Sequence, residues 1–282
     1  MHHLHLIDGS GFIYRAFYSR PALYRSDGLP VGALYGYCEM LSRLLRKNLG
    51  EGVALVSVFD ARGPNWRHEM YPRYKSIRGS PPTDLVPQFP LFREASIAFG
   101  VPVVEKAGYE ADDLIATYAT RAAERGILVT IHSSDKDLMQ LVREGSIEIF
   151  DPMKKVPIGV ASVIERWGVP PTKVVDVQAL AGDPTDCIPG VQGVGVKTAA
   201  AMINRWGSVE AVLDSVAFVE QKAKRRALEM FREDALLSKR LASLDTQVPD
   251  LPDIDDLAAM PVDDEDRLRF LRTFEFVSLI DP

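Results

Sequence analysis

Short runs of uninterrupted apolar residues alternate with longer stretches of helical periodicity through the first half of the chain. His5-Leu6-Ile7 ends at Asp8, and residues 53–59 form an apolar run ending at Asp60. Residues 101–104 follow a helical segment, and residues 127–131 lead into Ser133-Ser134-Asp135. Between these runs, residues 31–49, 85–99 and 110–125 carry apolar positions at helical spacing. Continuous apolar strands separated by helices predict a parallel sheet covered on both faces, since a strand buried on both sides has no polar face to alternate with. The expected fold class is α/β, a central and mainly parallel sheet flanked by helices. The stretch 80–84, Ser-Pro-Pro-Thr-Asp, predicts a break before a helix with Thr83 or Asp84 as N-cap. After about Val160 the pattern changes to short helices broken by Gly and Pro, then a basic helical stretch from Gln221 to Arg240. The expected organisation is an α/β core over 1–160, with a distinct segment at about 62–92, a helical region over 161–245 and an acidic C-terminal segment over 246–282.

Composition supports a packed protein: 46% of the 282 residues are hydrophobic and 26% charged. Two cysteines, Cys38 and Cys187, offer neither zinc spacing nor a disulfide framework. The start, Met-His-His-Leu-His-Leu-Ile-Asp, lacks the pattern of a signal peptide, and the longest apolar runs are too short to span a bilayer. The expectation is a cytoplasmic protein that does not enter membranes. Net charge is −6, but unevenly spread: from Asp245 onward 11 acidic residues face 3 basic ones, leaving 28 acidic and 30 basic before that point. The body is slightly positive, and the acidic tail reads as a solvated face.

Acidic residues recur just after the predicted strands. Asp8 and Asp60 close the first two runs. Glu110, Asp112 and Asp113 open a helix, Asp135 and Asp137 follow another strand, and Asp183 and Asp186 lie in the second half. Each alone has an ordinary explanation as an N-cap, a turn residue or a partner of the helix dipole. Several at strand ends of one parallel sheet converge where such sheets bind ligands. Converging carboxylates repel unless cations neutralise them, and an oxygen-only donor set suits Mg²⁺ or Mn²⁺.

Two further segments carry charge or unusual backbone. Residues 61–80 hold Arg62, Arg67, Arg73, Lys75 and Arg78 against one acid, Glu69, with Trp66, Tyr71 and Tyr74 interleaved. Basic residues among aromatics suit single-stranded nucleic acid, with charge on the backbone and rings on the bases; the alternative is a solvated surface helix. Gly190-Val-Gln-Gly-Val-Gly-Val-Lys-Thr-Ala199 reads as helix-hairpin-helix, with Gly190, Gly193, Gly195, Lys197 and Thr198 aimed at a duplex phosphate. A dinucleotide fingerprint is excluded by context, because no strand immediately precedes these glycines. Lys222, Lys224, Arg225 and Arg226 extend that footprint or form a plain surface helix.

These segments occur together in an order and spacing that resembles the 5′-nuclease, or flap endonuclease, family, in particular the 5′→3′ exonuclease domain of bacterial DNA polymerase I. The carrying segments are Leu6-Ile-Asp-Gly-Ser-Gly-Phe-Ile-Tyr-Arg15, Ser57-Val-Phe-Asp-Ala61, residues 66–78, Gly108-Tyr-Glu-Ala-Asp-Asp113, Ser134-Asp-Lys-Asp-Leu138 and residues 182–199. The resemblance covers nearly the whole chain, weakening beyond about Asp245. It implies a PIN-like fold and a two-metal-ion hydrolysis of DNA phosphodiesters in replication and repair, leaving a 5′-phosphate and a 3′-hydroxyl. Asp8, Asp60, Glu110 and Asp112 would surround one metal site with Asp113 close by; Asp135, Asp137, Asp183 and Asp186 would surround the other. The stretch at about 62–92 would be a helical arch in which Lys75 and Arg78 contact the scissile phosphate and Arg67 gives support. Tyr14 would pack near the terminal base of the substrate. The resemblance also implies K⁺ at the hairpin, substrates with 5′ flaps, nicks or 5′ ends, RNA primers in hybrids, a monomer, and a nucleoid-associated location.

Two positions depart from the family pattern: Cys187 stands where Asn is usual, and Val196 where Glu is common. Three rival readings remain at this stage. A non-catalytic, structure-specific DNA-binding module would keep the hairpin and basic stretch but lack one metal site. A phosphatase-like hydrolase using Asp8 as nucleophile would want a second Asp where Ser10 stands. An RNA-cutting nuclease with similar strand-end acids would lack the hairpin and arch.

Overall fold

In a computed structural model, the described residues are 1–282 apart from 49, 153, 258–263 and 281–282. In chain order the elements are β1 (His3–Asp8), α1 (Gly9–Tyr18), α2 (Gly32–Asn48), β2 (Val53–Val58), α3 (Trp66–Met70), α4 (Phe89–Ala98), β3 (Val103–Val104), α5 (Ala111–Glu124) and β4 (Leu128–His132). They continue with β5 (Ile147–Asp151), β6 (Val156–Ile158), α6 (Val160–Trp167), α7 (Val174–Ala181), α8 (Val196–Trp206), α9 (Val209–Asp214), α10 (Lys222–Met230), α11 (Arg232–Ala242) and α12 (Asp264–Thr273). The chain divides into two compact units. Unit 1 is Met1–Arg62, Ser80–Ser134 and Thr246–Pro282; unit 2 is Gly63–Gly79 and Asp135–Asp245.

Unit 1 is built on a parallel sheet ordered β3-β2-β1-β4. β1 runs in register with β2 from His3↔Val53 to Asp8↔Val58, and with β4 from His3↔Leu128 to Ile7↔His132. The last five residues of β1 and of β2 are all buried, which is why apolar residues dominate both strands, with His5, Asp8 and Ser57 as the buried polar exceptions. A core of Ile7, Phe12, Leu34, Tyr37, Phe59, Phe92 and Phe99 joins α1, α2 and α4 to the sheet. Leu271, Phe274 and Phe276 belong to the same core, so the amphipathic C-terminal stretch packs on unit 1. The acidic tail is partly paired: Asp253 and Asp255 both bridge Arg125.

Unit 2 is mainly helical, with an antiparallel pair, β5 and β6, that the periodicity did not announce. The basic helical stretch divides into α10 and α11 at Phe231, which caps the first and leads into the second. Tyr74, Ile188, Leu241 and Ala242 pack together. Two local expectations need correction. The break at 80–84 does not supply a side-chain cap: the following turn has Leu85 at its N-cap position, while Asp84 accepts from the Tyr24 hydroxyl at 2.9 Å. In the segment 62–92, α-helix is confined to Trp66–Met70 and to the start of α4, because Pro72, Pro81 and Pro82 remove backbone donors in between. Among the described residues, no helix is long and apolar enough to cross a membrane.

Candidate metal and nucleic-acid sites

At the carboxyl edge of the sheet in unit 1, Asp8 is fixed by neutral donors. It caps α1, accepting from the Gly11 amide at 2.8 Å, and its other oxygen accepts from the Ser133 hydroxyl at 2.7 Å. Gly11 is required for that approach, since a Cβ there would lie 2.3 Å from the carboxylate. Asp60 follows the neighbouring strand. Its amide donates to the Ser10 hydroxyl at 3.0 Å, and its carboxylate accepts the Ala111 N–H at 2.8 Å. That amide is the first of α5, so the Asp60 carboxylate sits at the N-terminus of the helix that carries the next acids. Glu110 is the N-cap of α5 and forms a capping box with Asp113, whose carboxylate accepts the Glu110 amide at 3.3 Å. Asp112 and Asp113 occupy the first turn, Asp113 fully buried and Asp112 half-buried. The helix dipole favours anions there, but the number of acids exceeds what one helix end needs.

In unit 2 the acids are held by cations and amides. Lys136 pairs with Asp183, which also caps its own turn by accepting the Thr185 amide at 2.9 Å. Burial would raise the Asp183 carboxyl, but the Lys136 ammonium and the Thr185 amide and hydroxyl hold it below its ordinary value. Arg78 donates to Asp186 at 2.6 Å, and the Lys75 ammonium lies 3.9 Å from the same carboxylate. Asp137 accepts from the Gln178 amide. Its pKa is pushed up to about 7, first by burial and then by the charge of Asp135, with Asp183 and Asp186 adding to the crowding and Lys136 opposing it. Asp135 accepts the amide of Asp137 at 2.8 Å.

The donor set is oxygen throughout, which fits a hard divalent cation. Among the described residues, no three His, Cys, Asp or Glu side chains are grouped as they would be around an ion. Instead, protein N–H, hydroxyl, ammonium and guanidinium groups occupy the carboxylate oxygens. Burial first, and the neighbouring carboxylates second, both disfavour the charged form of Asp137.

The basic segment is placed unevenly. Lys75 and Arg78 both reach Asp186, and the Lys75 amide donates to the Asp186 carbonyl at 2.9 Å. Both partners of that bond neighbour positive-φ residues: Lys75 itself at 52° and Cys187 at 58°. A non-glycine residue rarely occupies this region, and Asn does so most easily, which gives a physical reason to expect Asn rather than Cys at position 187. Arg67 is 1% exposed; its guanidinium donates to the Leu241 carbonyl at 2.8 Å and the Ser243 carbonyl at 2.9 Å. It therefore ties α3 to the end of α11. Tyr14 is 41% exposed on α1, its ring edge-to-face with Phe89 at 6.3 Å.

The hairpin folds on two glycines that approach back to back. Gly182 (φ 69°) and Gly190 (φ 61°) are so close that a Cβ on Gly190 would fall 2.3 Å from the Gly182 nitrogen. The Gly190 amide donates to the Ser238 hydroxyl at 2.9 Å, so this glycine supplies the turn and its N–H serves the protein. Gly193 and Gly195 have open space around them, and Gly195 caps α8 without a side chain. Lys197 is exposed and Thr198 half-buried in the first turn of α8, with the Lys224 ammonium 3.4 Å from the Thr198 hydroxyl. An 11-residue helix with bare N-terminal amides and a lysine suits a phosphate.

Sequence reasoning missed Ser10, Ser133, Lys136 and Gln178 as holders of the acids. Lys136 had a signal, lying between Asp135 and Asp137; Gln178 had none, because its role depends on α7 packing.

Comparison with known proteins completes the picture. Residues 3–168 match the family model described as "5′-3′ exonuclease, N-terminal resolvase-like domain", and residues 169–265 match "5′-3′ exonuclease, C-terminal SAM fold". The DNA polymerase I of Rhizobium leguminosarum is 45% identical over 283 residues, covering 98% of this chain and 28% of that protein. The chain thus spans less than a third of that relative's length. A 5′-3′ exonuclease of Aquifex aeolicus is 39% identical, covering 87% of this chain and 82% of that one. Among solved structures, a bacteriophage T5 flap endonuclease in a complex with DNA and metal ions superposes with a TM-score of 0.70 at 19% identity, covering 97% of this chain and 99% of that one.

Proposed function

The chain belongs to the 5′-3′ exonuclease family, and from that premise we propose that it is a metal-dependent, structure-specific 5′-nuclease acting on DNA flaps, nicks and 5′ ends. The observation that carries this reading is the hydrogen bond from Ala111 to Asp60, which brings a strand-end carboxylate to a helix whose cap and first turn hold Glu110, Asp112 and Asp113. A dedicated DNA-binding module would have no use for so many acids at that edge.

In this reading, Asp8, Asp60, Glu110, Asp112 and Asp113 of unit 1, and Asp135, Asp137, Asp183 and Asp186 of unit 2, hold Mg²⁺ or Mn²⁺. Such ions, when bound, activate water and stabilise the leaving oxygen of a phosphodiester. The protein's own part is placement. Ser133 and the Gly11 amide orient Asp8, and the Ala111 amide orients Asp60. Lys75 and Arg78 are the cations for the scissile phosphate, parked on Asp186 until a phosphate replaces it. Gly193, Gly195, Lys197 and Thr198 grip the duplex backbone without reading sequence. Tyr14 stacks on a base. RNA-primer ends in hybrids, K⁺ at the hairpin and a monomeric state are further parts of the proposal.

The test uses a 5′-labelled flap, a nicked duplex and a single strand, each with Mg²⁺, Mn²⁺ or EDTA. Cleavage of the flap and the nick with either metal, none in EDTA and none by Asp112→Asn is expected. An intact flap in both metals, with tight flap binding retained, would favour the binding module.

A further inference from the structure

Helix α7 is buried on nearly all sides, with Val174, Val177, Ala179 and Leu180 packed inside unit 2. Gln178 stands among them at 2% exposure. Such a position ordinarily takes an apolar side chain, because an amide there must find its hydrogen-bond partners away from water. Half of the Gln178 amide has one: Nε2 donates to Asp137 Oδ1 at 2.5 Å. The carbonyl oxygen, Oε1, is buried and has no hydrogen-bond partner among the described residues. Turning the amide over would not help, since that oxygen would then face the carboxylate. Gln140 makes the contrast. It donates to the carbonyls of Asp137 and Ala242 and accepts the Leu244 amide, so both its ends are spent on holding the fold.

A buried carbonyl without a donor costs stability, and its surroundings say what would satisfy it. The main-chain carbonyl of Gln178 accepts the Gly182 amide at 2.8 Å, where the chain enters the turn that carries Asp183 and Asp186. Asp135, Asp183 and Asp186 all act electrostatically on Asp137, the residue that the amide grips. Oε1 shares its carbon with the nitrogen on Asp137, so it lies beside an acid assigned to the unit 2 cation. Carboxylates that bind metals are themselves held by outer hydrogen-bond partners, and a small divalent ion such as Mg²⁺ keeps several waters, each able to donate to a carbonyl. We propose that Gln178 is a positioning residue of the unit 2 cation site: its N–H holds Asp137 in place, and its carbonyl oxygen accepts a hydrogen bond from the hydration shell of the bound ion. This rests on the nuclease reading above and adds a neutral residue to its acids. The carbonyl gains its donor only in the loaded protein, which couples the amide to cation binding.

The experiment is a Mn²⁺ isotherm followed by electron paramagnetic resonance on the full chain, with urea midpoints of the metal-free proteins as the control for folding. Gln178→Met keeps the length and apolar packing of the side chain and removes both polar ends. Gln178→Glu keeps an oxygen there, removes the N–H and adds a charge. Loss of an outer partner typically costs 10–100-fold in affinity. Gln178→Met should therefore weaken the looser class of site about tenfold and leave the tighter class unmoved. Gln178→Glu should lower the metal-free midpoint, because like charges meet at Asp137, and should tighten the looser class, because the ion gains an anion. A glutamine that serves only the fold would shift midpoints and neither class. Two classes in wild type that both variants leave alone, or equal weakening of both classes by Gln178→Met, would overturn the role of Gln178 and leave the nuclease reading standing. A single class in wild type would remove the unit 2 site and this proposal with it. No Mn²⁺ binding by wild type would remove the nuclease reading as well.

Discussion

The two units hold their acids by different physics. In unit 1, backbone amides and hydroxyls grip Asp8, Asp60 and Asp113, and the buried polar groups beneath are neutral, such as Tyr37 between Ser57 and Ser96. In unit 2, cations grip Asp183 and Asp186, and the interior holds Arg67 and Asp176, the latter paired with half-buried Lys239. Neutral donors set the geometry of a carboxylate without cancelling its charge. Ammonium and guanidinium partners cancel charge and must be displaced before another cation can enter. The difference predicts a tighter cation site in unit 1 and a weaker, competed one in unit 2.

The largest effect that would break this comparison is on turnover. Asp112→Asn removes an anion from the unit 1 set, and a metal contributes several kcal/mol to such chemistry. Flap cleavage should fall about 1,000-fold at 1.4 kcal/mol per tenfold, while the urea midpoint stays within error of wild type. A loss below tenfold would remove Asp112 from the set.

Next comes stability in unit 2. Arg67→Ala strips the buried Leu241 carbonyl and the half-buried Ser243 carbonyl of charged donors, at a cost of about 3 kcal/mol. Urea denaturation should show it, and Arg67→Lys should recover only part because a single ammonium cannot span both carbonyls. An unchanged midpoint would make the buried guanidinium irrelevant to folding.

Unit 1 makes the opposite kind of prediction, through pH. His5 and His132 are hydrogen-bonded at 2.9 Å, and burial lowers them to about 4 and about 3 respectively, the charge of His3 adding to it at His5 and those of His5 and His3 at His132. Their folded values lie below the unfolded value of about 6.5. Stability is therefore fully present above pH 6.5 and falls as the unfolded chain takes up protons that the folded chain refuses, down to about pH 4 for His5 and about pH 3 for His132. Between pH 6.5 and 5 one such histidine accounts for about 2 kcal/mol. Urea midpoints measured across that window should slope, and His132→Gln should flatten the slope; a slope unaffected by the substitution would place the proton uptake elsewhere.

A smaller effect sharpens the role of neutral donors. Ser133→Ala removes a hydroxyl donor from Asp8, and loss of a partner behind a metal-binding carboxylate typically costs 10–100-fold in affinity or activity. A tenfold rise in the Mg²⁺ concentration needed for half-maximal cleavage is expected, with kcat at saturating Mg²⁺ nearly unchanged. If kcat falls instead and the metal requirement does not move, Ser133 acts on something other than cation binding.

Much of unit 1 was legible in the sequence, because a strand buried on both faces leaves an unbroken apolar run and its end is marked by an acid. Asp8 and Asp60 stand where that reading put them, at the ends of β1 and β2. The helix of Glu110, Asp112 and Asp113 was legible too, since acids at an N-terminus obey the dipole. What escaped was set by tertiary contact or by backbone conformation. The β5–β6 pair is short and half-polar. The positive φ of Lys75 and Cys187 cannot be inferred from residue type, because neither residue favours it. The pairing of Lys136 with Asp183 and of Gln178 with Asp137 joins positions 47 and 41 residues apart, and the burial of Arg67 depends on a helix end more than 170 residues away. The basic residues of 61–80 were read together as suited to nucleic acid, with Arg67 in support; the fold turns Arg67 inward onto backbone carbonyls and pairs Arg78 with Asp186.

The central claim, that both sets of acids take divalent cations and that protein cations compete in unit 2, is tested most directly by a Mn²⁺ binding isotherm followed by electron paramagnetic resonance, on wild type and Lys136→Gln. Two classes of site are expected in wild type, the tighter abolished by Asp60→Asn and the weaker tightened by Lys136→Gln. A single class, untouched by either substitution, would contradict it.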